Sequence, residues 1–153
     1  MNITVYYIDK RSSGTQEEIE NRYVKLIGSF AQCELVPIYN SAIEKAQKIS
    51  KEAARLSYTE AFKPYLGKAH AFALDEKGKE MNSVQFSVAF GFHTQIAFFV
   101  GGTYGFEAAF KAQCREVISL SKMTFSHSLA RIVLCEQIYR ALTIQHNHPY
   151  HKE

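Results

Sequence analysis

Hydrophobic positions along the chain alternate between short strand-like runs and longer stretches with helical spacing. Apolar runs rich in β-branched and aromatic residues predict strands at residues 3–8, 33–39, 68–75, 94–100 and 116–121. Apolar residues spaced by three or four predict helices at about 15–30, 41–62, 83–90, 105–115 and 129–145. This order predicts one α/β domain over residues 1–153, with a mostly parallel sheet covered by helices on both faces.

Local signals refine several of these boundaries. Pro37 favours an edge position for the second strand, since proline cannot donate to a neighbouring strand. Asn40-Ser41 predicts the start of the long second helix and Pro64 its end. The run EKGKE after residue 75 predicts a charged turn, and Ser128 is the predicted N-cap of the last helix.

The predicted sheet indicates where a ligand would bind. In open parallel sheets, ligands lie beyond the carboxyl ends of the strands. This rule selects three places, which are Leu74-Asp75, Gly101-Gly102 and the loop 120–125. The glycine pair in FFVGGTYGF would let the backbone approach a ligand closely, although a glycine pair after a strand is more often a simple tight turn. The stretch is neither GxGxxG nor a P-loop, which argues against a Rossmann-type oxidoreductase or a nucleotide triphosphatase.

The last predicted helix is apolar on nearly all sides. Such a helix is buried by more than one neighbour, which predicts a subunit interface. Arg131 falls among its apolar positions and therefore needs an anionic partner, either in a structural ion pair or in a phosphate or carboxylate ligand. Glu136 and Arg140 form an i,i+4 pair on its polar side.

Composition narrows the function classes only modestly. The net charge of +3 is compatible with RNA binding but does not require it. Three cysteines without CxxC spacing predict neither a disulfide framework nor a zinc site. The run MNITVYYIDKR predicts no secretory signal, and the apolar stretch 96–102 is too short to span a bilayer. The terminal histidines His146, His148 and His151 lack a nearby cluster of cysteines or carboxylates that would complete a tetrahedral site, so we expect no metal site.

Three segments together resemble the RlmH family, which are bacterial methyltransferases of the SPOUT class that act on 23S rRNA. These segments are IAFFVGGTYG, SLSKMTFSHSLARIVLCEQIYRA and the ending NHPYHK. The resemblance extends over the whole chain and is most specific in its last third. This chain has Ser126 where the family often has proline, and Thr103-Tyr104 where small residues, proline or glutamate are usual.

The resemblance implies a homodimer with a C-terminal trefoil knot and S-adenosyl-L-methionine as methyl donor. It implies that the acceptor is N3 of a pseudouridine in helix 69 of 23S rRNA, methylated on assembled ribosomes in the cytoplasm. The implied cofactor-binding residues are Leu74, Gly101, Leu120, Ser121, Lys122, Met123, Thr124 and Phe125.

Methylation of N3 requires loss of its proton, either to a general base or with cationic stabilisation of the developing oxyanion. The candidates in the resembling region are His151 and Tyr150 in the tail, with Arg131 and Arg140 as anion stabilisers. His127, beside the predicted cofactor loop, is a further candidate. An alternative interpretation is a ribosome- or RNA-binding protein that has the same fold without catalysis.

Overall fold

A five-stranded parallel sheet forms the centre of the molecule. The computed structural model describes residues 1–152. The strands are β1 (Asn2–Ile8), β2 (Gln32–Ile38), β3 (His70–Glu80), β4 (Gln95–Val100) and β5 (Glu116–Ser119). They lie in the order β2-β1-β4-β3-β5, and every pairing is parallel. The predicted α/β class is confirmed, and β2 with its Pro37 is an edge strand as expected.

Six helices cover the two faces of the sheet. They are α1 (Gly14–Ile27), α2 (Ser41–Gln47), α3 (Lys51–Phe62), α4 (Ser83–Phe90), α5 (Ala108–Gln113) and α6 (His127–Gln145), with a 3₁₀ turn at Lys63–Tyr65. One hydrophobic cluster joins the sheet to α1, α4 and α6, and a second joins it to α2, α3 and α5. The helices therefore lie on both faces, as the strand–helix alternation predicts.

Strand β4 shows how the sheet separates these two cores. Successive side chains of a strand point to opposite faces. Ile96, Phe98 and Val100 accordingly pack in the first cluster, while Ala97 and Phe99 pack in the second. Because both faces are covered by helices, the strand is almost continuously apolar rather than alternating.

Two helix boundaries differ from the predictions. The predicted helix over 41–62 is two helices, because Ser50 starts a new one by accepting a hydrogen bond from the Ala53 N–H at 3.0 Å. The last helix is capped by Ser126 rather than Ser128, since the Ser126 Oγ accepts from the Leu129 N–H at 3.3 Å. The predicted cap at Asn40 is correct.

Strand β3 continues through the charged run that was predicted to be a turn. Ile118 of β5 pairs first with Leu74 and then with Lys79, so the register of β3 against β5 shifts within this segment. At Gly78 a Cβ would lie 2.8 Å from the backbone of Val117 and Ile118, which only glycine avoids. The charge pattern of EKGKE gave no sign of this long-range pairing.

The aromatic packing around β4 makes the core sensitive to truncation. Phe98 is fully buried and stacks on Phe72 with ring centroids 5.0 Å apart. We expect Phe98→Ala to lower the free energy of unfolding by about 3–5 kcal/mol, because it removes buried apolar contacts and leaves a cavity. Urea denaturation followed by circular dichroism measures the change. Val88→Ala on the exposed side of α4 is the control, and equal stability of the two variants would contradict this packing.

Candidate functional site

The three strand ends selected from the sequence surround one cavity. The cavity has a volume of about 640 Å³ and opens where β3, β4 and β5 end. Its walls include residues 74–77, 100–106 and 120–125, except Lys122, together with residues from α3, α5 and α6. A volume of this size is typical of pockets for small molecules and cofactors.

Seven of the eight residues predicted to bind a cofactor line this cavity. They are Leu74, Gly101, Leu120, Ser121, Met123, Thr124 and Phe125. Lys122 is the exception, because its exposed ammonium Nζ lies 3.6 Å from Glu80 Oε1 outside the cavity wall. The fold thus brings together residues that are up to 51 positions apart in the chain.

The glycine pair forms a tight turn that leaves backbone exposed to the cavity. Gly102 pairs with Gly105, whose φ of 75° suits glycine. A Cβ on Gly101 would lie 3.1 Å from the Gly105 carbonyl oxygen, and one on Gly102 would lie 2.6 Å from the Tyr58 ring. Side chains at these two positions would therefore push the turn away from its supports.

Helix α3 holds this turn in place from behind. Arg55 donates through Nε to the Tyr104 carbonyl oxygen at 2.7 Å. The buried ring of Tyr58 supports Gly102, and its hydroxyl donates to Gln47 Oε1 at 2.5 Å. The shape of the turn therefore depends on residues 44 to 49 positions away from it in sequence. Sequence inspection missed Arg55 and Tyr58, because helical periodicity does not reveal which loop a helix contacts.

The loop after β5 is fixed mainly by its own hydroxyl groups. Ser119 Oγ donates to the Ser121 carbonyl at 2.8 Å, and Ser121 Oγ accepts from the Met123 N–H at 3.0 Å. Thr124 Oγ1 donates to Glu76 Oε2 at 2.5 Å, which ties the loop to the second half of β3. Ser126, found where proline is frequent in the resembling family, ends the loop as the N-cap of α6.

An ion pair lies in the wall where β3 enters the cavity. Lys111 Nζ is 2.8 Å from Asp75 Oδ2. Partial burial acts to raise the pKa of Asp75, but the hydrogen bonds from Lys111 and from the Lys77 N–H outweigh it and lower that pKa below 3.8. Asp75 is therefore an anion at neutral pH, and its stabilising interactions are lost only as acid protonates it.

Arg131 is fully buried beside the cavity and not in its wall. Its Nε donates to Glu20 Oε2 at 3.0 Å, and its guanidinium stacks over the Tyr7 ring with 4.0 Å to the centroid. Nη2 donates to Ser12 Oγ at 3.2 Å. Of the two alternatives left open by the sequence, the structure shows the ion pair, which joins α6 to α1 and to the end of β1.

Asp9 connects the buried Arg131 to the wall of the cavity. Arg131 Nη1 makes no hydrogen bond within the described residues and lies 3.5 Å from Asp9 Oδ2. The same carboxylate oxygen is 3.6 Å from Nε2 of His127, a residue that lines the cavity. His127 is thus the candidate base that the fold brings closest to the predicted cofactor loop.

The tail candidates form a second constellation on α6. Arg140 Nη2 donates to Glu136 Oε1 at 2.6 Å, and its Nη1 is 3.1 Å from His151 Nδ1. The Arg140 guanidinium also lies over the Tyr150 ring at 4.7 Å, while the Tyr150 hydroxyl donates to Glu136 at 3.0 Å. None of these four residues lines the cavity of the same chain.

The protonation of this constellation follows from its hydrogen bonds. The hydrogen bond to Glu136 raises the pKa of Arg140, so the guanidinium stays charged. Burial and Glu136 raise the pKa of Tyr150, so its phenol stays protonated at neutral pH. Since a guanidinium can only donate, His151 Nδ1 must accept, and the neutral ring then carries its proton on Nε2.

The other two tail histidines serve local packing. His146 lies against the Phe30 ring at 4.8 Å, and its Nδ1 hydrogen-bonds the Leu142 carbonyl at 2.8 Å. His148 Nδ1 accepts from the Tyr150 N–H at 3.2 Å. Across residues 1–152 there is no group of three or more histidine, cysteine or acidic side chains arranged to hold a metal ion.

The cysteines are not reactive groups of the site. Burial raises the pKa of Cys33 to about 12 and that of Cys114 to about 11, and it raises the pKa of Cys135 as well. All three are therefore thiols rather than thiolates at neutral pH. In the part of the chain that the structure describes, no helix is both long and apolar enough to cross a bilayer.

Sequence comparisons cover the whole length of the chain. A family described as "Predicted SPOUT methyltransferase" matches residues 1–151. The protein named "Ribosomal RNA large subunit methyltransferase H" from Wolinella succinogenes is 46% identical, covering 99% of this chain and 100% of its own length. Its namesake from Helicobacter pylori strain Shi470 is 47% identical with the same coverage.

A solved structure agrees in fold at low sequence identity. A probable methylase family protein from Haemophilus influenzae Rd KW20 superposes with a TM-score of 0.56 at 10% identity. The superposition covers 99% of this chain and 70% of the other. Its likeness concerns the fold alone.

The buried Arg131 ion pair yields a stability prediction. We expect Arg131→Met to lower the free energy of unfolding by about 3–5 kcal/mol, because it leaves the charge of Glu20 buried without its partner. Adding Glu20→Gln to that variant should restore part of the loss, since the uncompensated charge is then removed. Thermal and urea unfolding measure both changes. Lys63→Met, which breaks an exposed pair with Glu60, is the control, and equal effects of the two single variants would contradict the ion-pair role.

Proposed function

The chain is a member of the SPOUT methyltransferase family and of its ribosomal RNA large subunit methyltransferase H group, and we propose that it transfers a methyl group from S-adenosyl-L-methionine to 23S rRNA. The acceptor we propose is N3 of a pseudouridine in helix 69, methylated on assembled ribosomes in the cytoplasm. One observation carries this proposal above the others. Seven of the eight residues that the family resemblance assigns to the cofactor line one cavity at the carboxyl ends of β3, β4 and β5.

The cavity suits this cofactor in size and in chemistry. Its volume of about 640 Å³ falls within the usual range for ligand pockets of roughly 300–1,000 Å³. Leu74, Leu120 and Phe106 give it apolar walls for a planar base, while the turn at Gly101 offers backbone polar groups. When bound, the cofactor supplies an electrophilic methyl group on a positively charged sulfur. The residues of the chain then have to hold it in line with the acceptor and exclude water.

We assign Arg140 and His151 to stabilising the charge that develops when N3 loses its proton to solvent water, rather than to abstracting that proton. Arg140 stays charged, and the neutral His151 ring presents its Nε2–H, so both offer hydrogen-bond donors. Such donors suit the negative charge that develops on the carbonyl oxygens beside N3. The phenol of Tyr150 is occupied by Glu136 and positions the ring against Arg140. Arg131 is then a structural residue, because its partners are Glu20, Asp9 and Ser12 within the chain.

We infer that the active enzyme is a homodimer in which the tail of one chain meets the cavity of the other. The constellation of Glu136, Arg140, Tyr150 and His151 does not line the cavity of its own chain. A second chain offers the same constellation to the first, since a two-fold dimer uses the same surfaces twice. Two complete sites result, each with a cavity from one chain and donors from its partner.

We further infer that the C-terminal segment is threaded as a trefoil knot. This inference is supported by the pairing of Ile118 with both Leu74 and Lys79, and by the close approach of Gly78 to the backbone of Val117 and Ile118. The chain then continues from β5 into the loop 120–125 and α6. Threading of this C-terminal part past residues 74–79 would form the knot.

A methyl-transfer assay tests the proposed function. Ribosomes from a strain that lacks the gene are incubated with the protein and radiolabelled S-adenosyl-L-methionine. We expect the label in 23S rRNA, with mass spectrometry placing it on N3 of a pseudouridine in helix 69. Gly101→Val is the control, because its side chain would press against the Gly105 carbonyl and close the cavity wall. If calorimetry shows no heat of binding for the cofactor and the rRNA stays unlabelled, the proposed methyl transfer is wrong and a non-catalytic RNA-binding role remains.

Complementation tests whether the site is shared between chains. One inactive chain carries Gly101→Val and another carries Arg140→Ala with His151→Ala, and the two are co-expressed with different tags. A heterodimer isolated through both tags should recover about half of the wild-type activity, since one of its two sites is intact. The control places all three substitutions on one chain and pairs it with wild-type chain. If the site is shared between chains, the control pair should be inactive. An active control pair together with an inactive first pair would instead show that each site lies within one chain.

A further inference from the structure

The cavity carries more positive charge than its proposed cofactor needs. Four basic side chains line it, and they are Lys51, Arg55, Lys77 and Lys111. Only two acidic side chains, Asp75 and Glu76, line it as well. The resulting surplus of two charges is most of the net charge of +3 that the whole chain carries. Because the cofactor carries a sulfonium and an ammonium against a single carboxylate, its binding accounts for at most one of these cations.

Two of the cations are already accounted for by contacts within the chain. Lys111 pairs with Asp75 at 2.8 Å. Arg55 uses its Nε to hold the Tyr104 carbonyl, although its charge is left without a carboxylate partner among residues 1–152. Lys51 and Lys77 are exposed, and within the described residues neither forms an ion pair.

The unpaired cations come from two elements that meet at the cavity. Lys51 and Arg55 are four residues apart on α3 and therefore lie on the same face of that helix. Lys77 lies on β3, in the segment where its register against β5 shifts. Both elements line the cavity, so the three cations lie around the proposed cofactor site.

We propose that Lys51, Arg55 and Lys77 form a basic rim that binds backbone phosphates of the RNA beside the target nucleotide. This inference rests on the proposed function and specifies how its substrate is held. Exposed ammonium groups suit phosphates because they carry point charges on flexible stems and lose little hydration in forming the contact. The phosphates fix the register of the strand, while the cavity and the donors from the tail select the base.

Glutamine substitutions at the two lysines test the basic rim without disturbing the glycine turn. The variants are Lys51→Gln, Lys77→Gln and the double substitution, assayed with ribosomes over a series of salt concentrations. We expect each single variant to raise KM for ribosomes severalfold with kcat unchanged. Each should also reduce the slope of log KM against log salt by about one, because one phosphate contact is lost. Calorimetric affinity for S-adenosyl-L-methionine should stay at the wild-type value.

Lys68→Gln is the matched control. Lys68 is equally exposed but precedes β3 at the opposite end of the sheet from the cavity. Rim variants with the KM and salt slope of this control would overturn the inference, even if the protein methylates rRNA as proposed.

A separate binding measurement distinguishes the two proposals. Filter retention of ribosomes needs no methyl transfer, and its salt slope should fall in the Lys51 and Lys77 variants as well. Retention that depends on these lysines, in a protein that transfers no methyl group, would support the basic rim and refute the proposed function.

Discussion

The close passage of the backbone at Gly78 over β5 is the contact on which the rest of the site depends. A Cβ there would lie 2.8 Å from Val117 and Ile118, so only glycine lets β3 pass this close to β5 and pair with it again after the register shift. Without that pairing, the segment after Leu74 would leave the sheet edge, and Glu76 would lose its contact with Thr124. The three loops would then no longer enclose one cavity. A single absent side chain thus connects strand pairing to the geometry of the site.

Helix α6 connects this cavity to the tail through its two polar ends. At its start, buried Arg131 joins Glu20 of α1 and Asp9 beyond β1, which fixes the helix relative to the sheet. At its far end, Arg140 orders the tail by contacting Tyr150 and His151. The two arginines look alike in the sequence, yet their environments give them different roles. Arg131 has its charge compensated by Glu20 in the core, whereas Arg140 is half-buried, pairs with Glu136 and donates to His151.

The pattern of apolar residues predicted all five strands and the class of the fold, because buried strands must be apolar on both faces. The rule on strand ends also selected the three loops of the cavity, since it depends only on strand direction. Neither the apolar pattern nor this rule predicts contacts between residues far apart in the chain. The charged run EKGKE reads as a turn, and its pairing with β5 is set by Gly78 and tertiary packing. Arg55 and Lys51 likewise look like ordinary surface residues of a polar helix until the fold brings them to the cavity.

The distribution of charge, more than its amount, fits the proposed substrate. A net charge of +3 gives only weak attraction for free RNA, because affinity for a polyanion rises with the number of phosphates neutralised. Most of the surplus nevertheless lies around one cavity, and a homodimer would present two such regions. Weak overall attraction limits the affinity of the protein for RNA in general. A few phosphates held in a fixed geometry can nevertheless contact all the cations around one cavity. A folded ribosomal surface offers phosphates in this way, whereas a flexible RNA fragment must first lose conformational freedom. The modest charge of the chain therefore favours a target that is already folded.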